Sequence, residues 1–150
     1  MTVAARVAGA EDLPTIAALR REWREETEGP IDDPDFEARF AEWCVAEGER
    51  RTFFLVSVDG VDVGMANVLR YDRMPTPGKP GGSWGYVANV YVREAHRSAG
   101  VGGVLMGALR DWAQAAGYGH LRLAPREQSI PFYERLGFSF GAVMQLSVDK

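Results

Sequence analysis

One stretch limits this chain more than any other: an apolar run from Tyr86 to Val92, a glycine-rich turn from Arg97 to Gly103, and an amphipathic segment reaching Ala116. In Tyr86-Val87-Ala88-Asn89-Val90-Tyr91-Val92 every residue but Asn89 is apolar, β-branched or aromatic, which predicts a strand covered on both faces. After the first glycines, Val101, Leu105, Ala108, Leu109, Trp112, Ala113 and Ala116 recur mostly at three- and four-residue steps, on one face of a helix. The glycines therefore open a helix, where the first N–H groups lack intrahelical partners and the peptide dipoles sum to roughly half a positive charge. A phosphate satisfies such donors. Gly100, Gly102 and Gly103 place no Cβ in its way, and Arg97 can add a charge-assisted hydrogen bond.

Two other glycine motifs do not fit. A Walker turn ends in Gly-Lys-Ser/Thr, whereas Gly102 and Gly103 are followed by Val104 and Leu105. The dinucleotide pattern requires a small residue at Leu105 and a strand running straight into its first glycine, but Arg93 to Ala99 intervene. What fits is R-x-x-G-x-G after a strand ending Val-Tyr-Val, followed downstream by Ile130-Pro131-Phe132-Tyr133-Glu134-Arg135-Leu136-Gly137-Phe138. In that order and spacing the two motifs resemble the GNAT superfamily of acyl-CoA-dependent N-acetyltransferases.

The resemblance implies a mixed α/β fold: a central, mostly antiparallel sheet of six to seven strands with splayed central strands, flanked by four helices. Residues 1–150 are expected to form one N-acetyltransferase domain, in keeping with a length that suits a single core. No apolar run approaches the ~20 residues that cross a bilayer, and Met1 to Arg6 lacks the apolar core of a secretion signal. A cytoplasmic protein with no membrane partner is expected. Seventeen basic against twenty-one acidic residues give a net charge of −4, which argues against nonspecific nucleic-acid binding and is compatible with a cationic acceptor. With two histidines, one cysteine and no H-E-x-x-H or C-x-x-C spacing, no metal site is expected. A homodimer is compatible with the sequence.

Along the chain, Val3 to Val7 reads as a strand, and Ala10-Glu11-Asp12-Leu13-Pro14 as the entry to a first helix that ends near Glu28-Gly29-Pro30. Its apolar stripe of Leu13, Ile16, Ala17 and Trp23 is broken by Arg20. Asp35 is placed to cap a second helix whose buried side includes Phe36, Phe40, Trp43 and Cys44, and Cys44 reads as a small core residue. Thr52 to Val58 and Val61 to Tyr71 form a hairpin about Asp59-Gly60. Asp72 to Ser83 is a long proline- and glycine-rich irregular stretch. His120 to Ala124 predicts a strand, Ser129 to Leu136 a short helix, and Phe138 to Phe140 with Ala142 to Val148 two closing strands.

The resemblance assigns roles residue by residue. The pantetheine arm of acetyl-CoA, the cosubstrate, pairs with the strand edge at Val90, Tyr91 and Val92. The pyrophosphate lies on Arg97, Ser98, Ala99, Gly100, Val101, Gly102 and Gly103, and the contacts extend to Ser129. Tyr133 matches the family tyrosine that protonates the departing thiolate. The partner is an amine-bearing acceptor that attacks the thioester directly. A lysine-like amine with pKa ~10.4 is almost wholly protonated at neutral pH, so a base must relieve it of a proton. Many relatives place a carboxylate two residues before the Val-Tyr-Val segment, but Ala88 and Asn89 stand here. Glu25, Glu26 and Asp33 are alternatives, as is a chain of waters. Two competing readings remain: a noncatalytic acyl-CoA sensor, and a phosphoribosyl or nucleotide-binding module.

Overall fold

The alternation of side chains along Arg51–Val58 divides the molecule into layers. Phe54, Val56 and Val58 join one core cluster, whereas Leu55 belongs to a second, as a strand covered on both faces requires. The computed structural model describes residues 1–148. Its strands are β1 (Val3–Val7), β2 (Arg51–Val58), β3 (Val61–Asp72), β4 (Ser83–Val92) and β5 (Leu121–Arg122). They form one sheet in the order β1-β2-β3-β4-β5, antiparallel except for the parallel pair β4–β5. The helices are α1 (Leu13–Glu28), α2 (Phe36–Glu47), α3 (Val101–Ala115) and α4 (Ile130–Arg135).

One face of the sheet packs on α3 and α4: Val101, Leu105, Met106, Leu109 and Tyr133 bury against Phe54, Val56, Val68 and Val87. The other face meets α1 through Ile16 and Leu19, which pack on Leu55, Met65 and Tyr91 with Trp23 and Phe40 alongside. The hairpin at Asp59-Gly60 forms as the sequence predicts, with both residues at positive φ (50° and 83°). Gly29, at φ 75°, ends α1, again as expected.

Several expectations are corrected. The sheet has five strands among the described residues instead of six to seven. Residues 138–148 form no strand, and Phe140, Val143, Met144, Leu146 and Val148 are exposed. Alternating apolarity is a strand signal only where a ladder exists to join, and β5 is two residues long, paired with β4 at Gly85 and Tyr86 alone. The strand expected over His120 to Ala124 is for the same reason cut to Leu121–Arg122. The irregular stretch runs from Arg73 to Gly82, since β3 and β4 extend as a long hairpin whose tip is closed by a Thr76–Lys79 bridge. The aromatic side of α2 is not sealed in the core: none of its residues is fully buried. Cys44 is half-buried, its thiol pushed up by that burial.

At Gly64 the backbones of β3 and β4 leave no room for a side chain. A Cβ at this position would lie 2.8 Å from the Tyr91 carbonyl oxygen and 2.8 Å from Cγ1 of Val56. Backbone cannot yield as a flexible side chain does, so Gly64→Ala is expected to cost about 1–3 kcal/mol of stability, the usual range for overpacking. Urea unfolding measures it; an unchanged midpoint would refute this close packing.

Candidate active site

β4 carries an irregularity at the one polar residue in its apolar run. Met65 pairs with Tyr91 and Asn67 with Ala88, so one residue of β3 faces two of β4, and Asn89 takes up the excess at φ 55°. A non-glycine residue in this region costs on the order of 1 kcal/mol or more and persists only where its surroundings hold it. The Asn67 side-chain amide donates to Oδ1 of Asn89 (2.9 Å) and accepts from Arg51 (2.6 Å), which is itself bonded to Glu47 (2.7 Å). Asn67 is only 3% exposed, the one buried polar residue among those described, and both ends of its amide are used. Sequence reading singled out Asn89 as an exception and missed Asn67 and Arg51, because nothing local announces a hydrogen bond between strands.

Beyond Tyr86, β4 and the chain after β5 part company. Between them lies a groove of about 410 Å³, bordered by Val87 to Val92 on one side and Leu123, Ala124 and Pro125 on the other. Val90, Tyr91, Val92, Arg97, Ser129 and Tyr133 all line it, so the structure brings together six of the residues expected at the site. Ser98 to Gly103 lie beside the groove, at the start of α3. Ser98 and Gly100 are both at positive φ (64° and 81°), and no side chain caps the helix at Gly100. The first N–H groups of α3 are thus left for a ligand, and successive turns of this kind gather amides into an anion-binding concavity. The first turn of α3 abuts α4: a Cβ on Gly102 would meet the Phe132 ring at 3.2 Å.

Tyr133 is 9% exposed, and burial raises its pKa above the ordinary phenol value of 10.0. It therefore holds its proton through the neutral range. Tyr91, on the α1 side of the sheet, is pushed up to about 12 by burial and by Glu22 and Glu26. It stacks on Trp23 with ring centroids 5.4 Å apart and donates to Glu26 (3.2 Å).

Arg97 is engaged within the protein: its Nη2 pairs with both carboxylate oxygens of Glu26 (2.9 and 2.7 Å), and its Nε donates to the Val92 carbonyl (2.8 Å). The three carboxylates weighed as bases part ways. Glu25 accepts from the Ile31 amide (2.9 Å) and fastens the loop after α1. Asp33 is gripped by Arg39 (3.0 and 2.5 Å), whose hydrogen bonds hold it below the usual carboxylate range. Glu26 alone borders the groove. His120 precedes β5 and stacks on Trp84 at 5.3 Å; burial lowers its pKa.

A second cavity, about 280 Å³, opens on the α1–α2 side of the sheet. Phe36, Phe40, Trp43 and Phe53 wall it, Arg20 and Arg39 are its charged residues, and Asn67 and Asn89 lie at its floor. Asn89 lines both cavities, so the bulge is where groove and pocket meet. Among the described residues no group of three or more His, Cys, Asp or Glu is placed to hold a metal, and no helix is long and apolar enough to cross a membrane.

Comparison with known proteins agrees with this geometry. The chain is similar to an uncharacterised N-acetyltransferase, YjcF, of Bacillus subtilis: 38% identity over 55 residues, 37% of this chain and 39% of that protein, so the match spans well under two thirds of the relative. Among solved structures it resembles an acetyltransferase of Trypanosoma brucei, with a TM-score of 0.72 and 27% identity over 98% of this chain and 100% of that one. It shares the fold of a predicted acetyltransferase from Clostridium acetobutylicum crystallised with acetyl-CoA, with a TM-score of 0.76 and 17% identity over 98% and 97% of the two chains. The sequence pattern of the Acetyltransferase (GNAT) family matches residues 16–138, from the first turn of α1 through the residue after Gly137, and the chain belongs to that family.

Proposed function

We propose that this protein is an N-acetyltransferase, a single domain over residues 1–150 that transfers the acetyl group of acetyl-CoA to a primary amine by direct attack in a ternary complex. The observation that carries this reading is the groove itself: an unpaired strand edge on one wall, Tyr133 within it and an uncapped helix start beside it. An extended pantetheine arm suits the edge of β4 from Val87 to Val92, where β5 no longer supplies partners. The pyrophosphate suits the free amides at Ser98 to Gly103. Arg97 can turn to it only by giving up Glu26, so its role is either to swing onto the phosphates or to hold Glu26 in place.

In the reaction the amine nitrogen forms a bond to the thioester carbonyl carbon and the C–S bond breaks. The sulfur leaves as a thiolate and takes the Tyr133 proton; the amine gives up its own proton. Glu26 is the one carboxylate lining either cavity among the described residues, and its pairing with Arg97 favours water as the direct acceptor. Burial keeps the phenol protonated but also makes it a weaker acid, so the transfer depends on the site drawing the proton onto the sulfur as the C–S bond breaks.

Two substitutions test this. Gly102→Asp sets a negative side chain among the amides meant for phosphate and is expected to weaken acetyl-CoA binding at least about tenfold by calorimetry, since like-charge and hydrogen-bond losses of this kind run to 1.4 kcal/mol or more. Unchanged affinity in the folded variant would remove the phosphate assignment. Tyr133→Phe is expected to bind acetyl-CoA normally and to lose ~10²-fold or more in kcat, the scale of a general acid. Full turnover would leave Tyr133 a structural residue, and binding with no turnover in the wild type would favour the sensor reading. Because the Tyr133 pKa is raised, any alkaline loss of kcat due to its ionisation belongs above pH 10.0, and Tyr133→Phe abolishes that limb.

A further inference from the structure

The pocket beside the groove has a charge character opposite to that of the chain as a whole. Net charge is −4, yet among the described residues no carboxylate lines this cavity and two arginines do. Their situations differ. Arg39 is exposed and satisfied by a two-pronged pairing with Asp33. Arg20 makes no ion pair among the described residues; it lies over the Trp23 ring at 4.8 Å. The charges that act on it most are Arg24 and Arg126, the latter also over Trp23 at 5.2 Å, and together with burial they depress its pKa. A partly desolvated cation among cations is unfavourable until an anion joins it.

The walls have their own character. Phe40, Trp43 and Phe53 contact one another with centroids 6.0 to 6.3 Å apart, and Phe36 extends the set at 6.1 Å from Phe40. Phe36, Phe40 and Trp43 belong to the α2 face that the sequence marks as buried, and the fold leaves that face lining an opening opposite Phe53 of β2. Asn67, engaged by Arg51 and Asn89, offers little to a ligand. At about 280 Å³ the cavity sits at the small end of ligand pockets, roughly 300–1,000 Å³, so it suits a small molecule.

We propose that the acceptor is a small amine with an aromatic or branched apolar body and a carboxylate, the carboxylate held by Arg20 and the body lodged among the rings of α2 and β2. This rests on the acyltransferase reading, and it refines the whole-chain charge argument, which had left room for a cationic acceptor. The amine of such a compound lies next to its carboxylate, and Arg20 and Asn89 border the same cavity, so the nitrogen is directed to the junction with the groove. Acetylation converts it to an amide, with the acetyl-bearing C–S bond broken and CoA released as the thiol. Polyamines and aminoglycosides find no acidic group here.

The test separates the pocket from the chemistry by using product analogues, which bind without reacting. The full-length chain is titrated by calorimetry with N-acetyl-L-phenylalanine, N-acetyl-L-phenylalaninamide, N-acetylglycine and spermidine. The acid is expected to bind roughly tenfold or more tightly than the amide, which differs only in lacking the charge, and more tightly than N-acetylglycine, which lacks the ring. Arg20→Met is expected to remove the gap between acid and amide, and Arg20→Lys to restore part of it; acetyl-CoA affinity reports that both variants are folded. Equal binding of acid and amide, a gap that survives in Arg20→Met, tighter binding of spermidine, or no binding of any of the four overturns the proposal. Thiol release from acetyl-CoA with L-phenylalanine or spermidine then tells the two readings apart. Turnover of spermidine alone removes this acceptor class and leaves the acyltransferase standing, whereas the binding preference with no turnover of any amine upholds the pocket and removes the acyltransferase.

Discussion

The hydrogen bond from Asn67 to Asn89 holds the feature on which both cavities depend. Without it Asn89 has no reason to occupy a left-handed conformation in the middle of a strand, and β4 would run straight. The extra residue bends the strand where its ladder with β5 has already ended, and groove and pocket meet there. The bond is part-buried, and Asn67 also meets the Arg51–Glu47 ion pair. Asn67 itself is buried, so breaking either of its bonds leaves a buried amide group without that partner.

Charges are sorted around this junction according to task. Acidic side chains near α1 are consumed by neighbours: Glu22 by Arg93, Glu25 by the Ile31 amide, Glu26 by Arg97 and Tyr91. The cations left over are those facing ligands, with Arg20 at the pocket and the N–H groups of α3 beside the groove. An acidic protein thereby presents two anion-seeking positions on opposite sides of one strand. The two cavities share Asn89, and the proposed reaction uses that junction to bring a thioester in one to an amine in the other without a covalent carrier.

Much of the groove was legible because its signals are local. The apolar run of β4, the glycine turn at the head of α3 and the short helix bearing Tyr133 each announce themselves through composition and spacing, and six of the residues that the family resemblance assigned to the site line one cavity. Asn89 stood out as the exception in its strand, and Arg20 as the break in the stripe of α1. The reason for either exception lies across the sheet or across a pocket, in Asn67 and in the rings of α2, and spacing along the chain carries no trace of it. The alternating apolar residues from Ala142 to Val148 mislead for a related reason: they describe a strand without supplying its partner.

A family resemblance pointed to six of the residues lining the groove, while the sequence by itself determined the order of strands and helices through residue 136 and the glycine turn that opens α3. These follow from backbone conformation and from apolar periodicity, properties that a segment carries wherever it lies. Tertiary structure alone decided that Arg97 meets Glu26, that Asp33 is spent on Arg39, that the aromatic side of α2 lines an opening, and that Arg20 has no acidic partner among the described residues. Each of those depends on the distance between charges or surfaces far apart in the chain. Electrostatic and packing energies are functions of that distance, and only the folded sheet sets it.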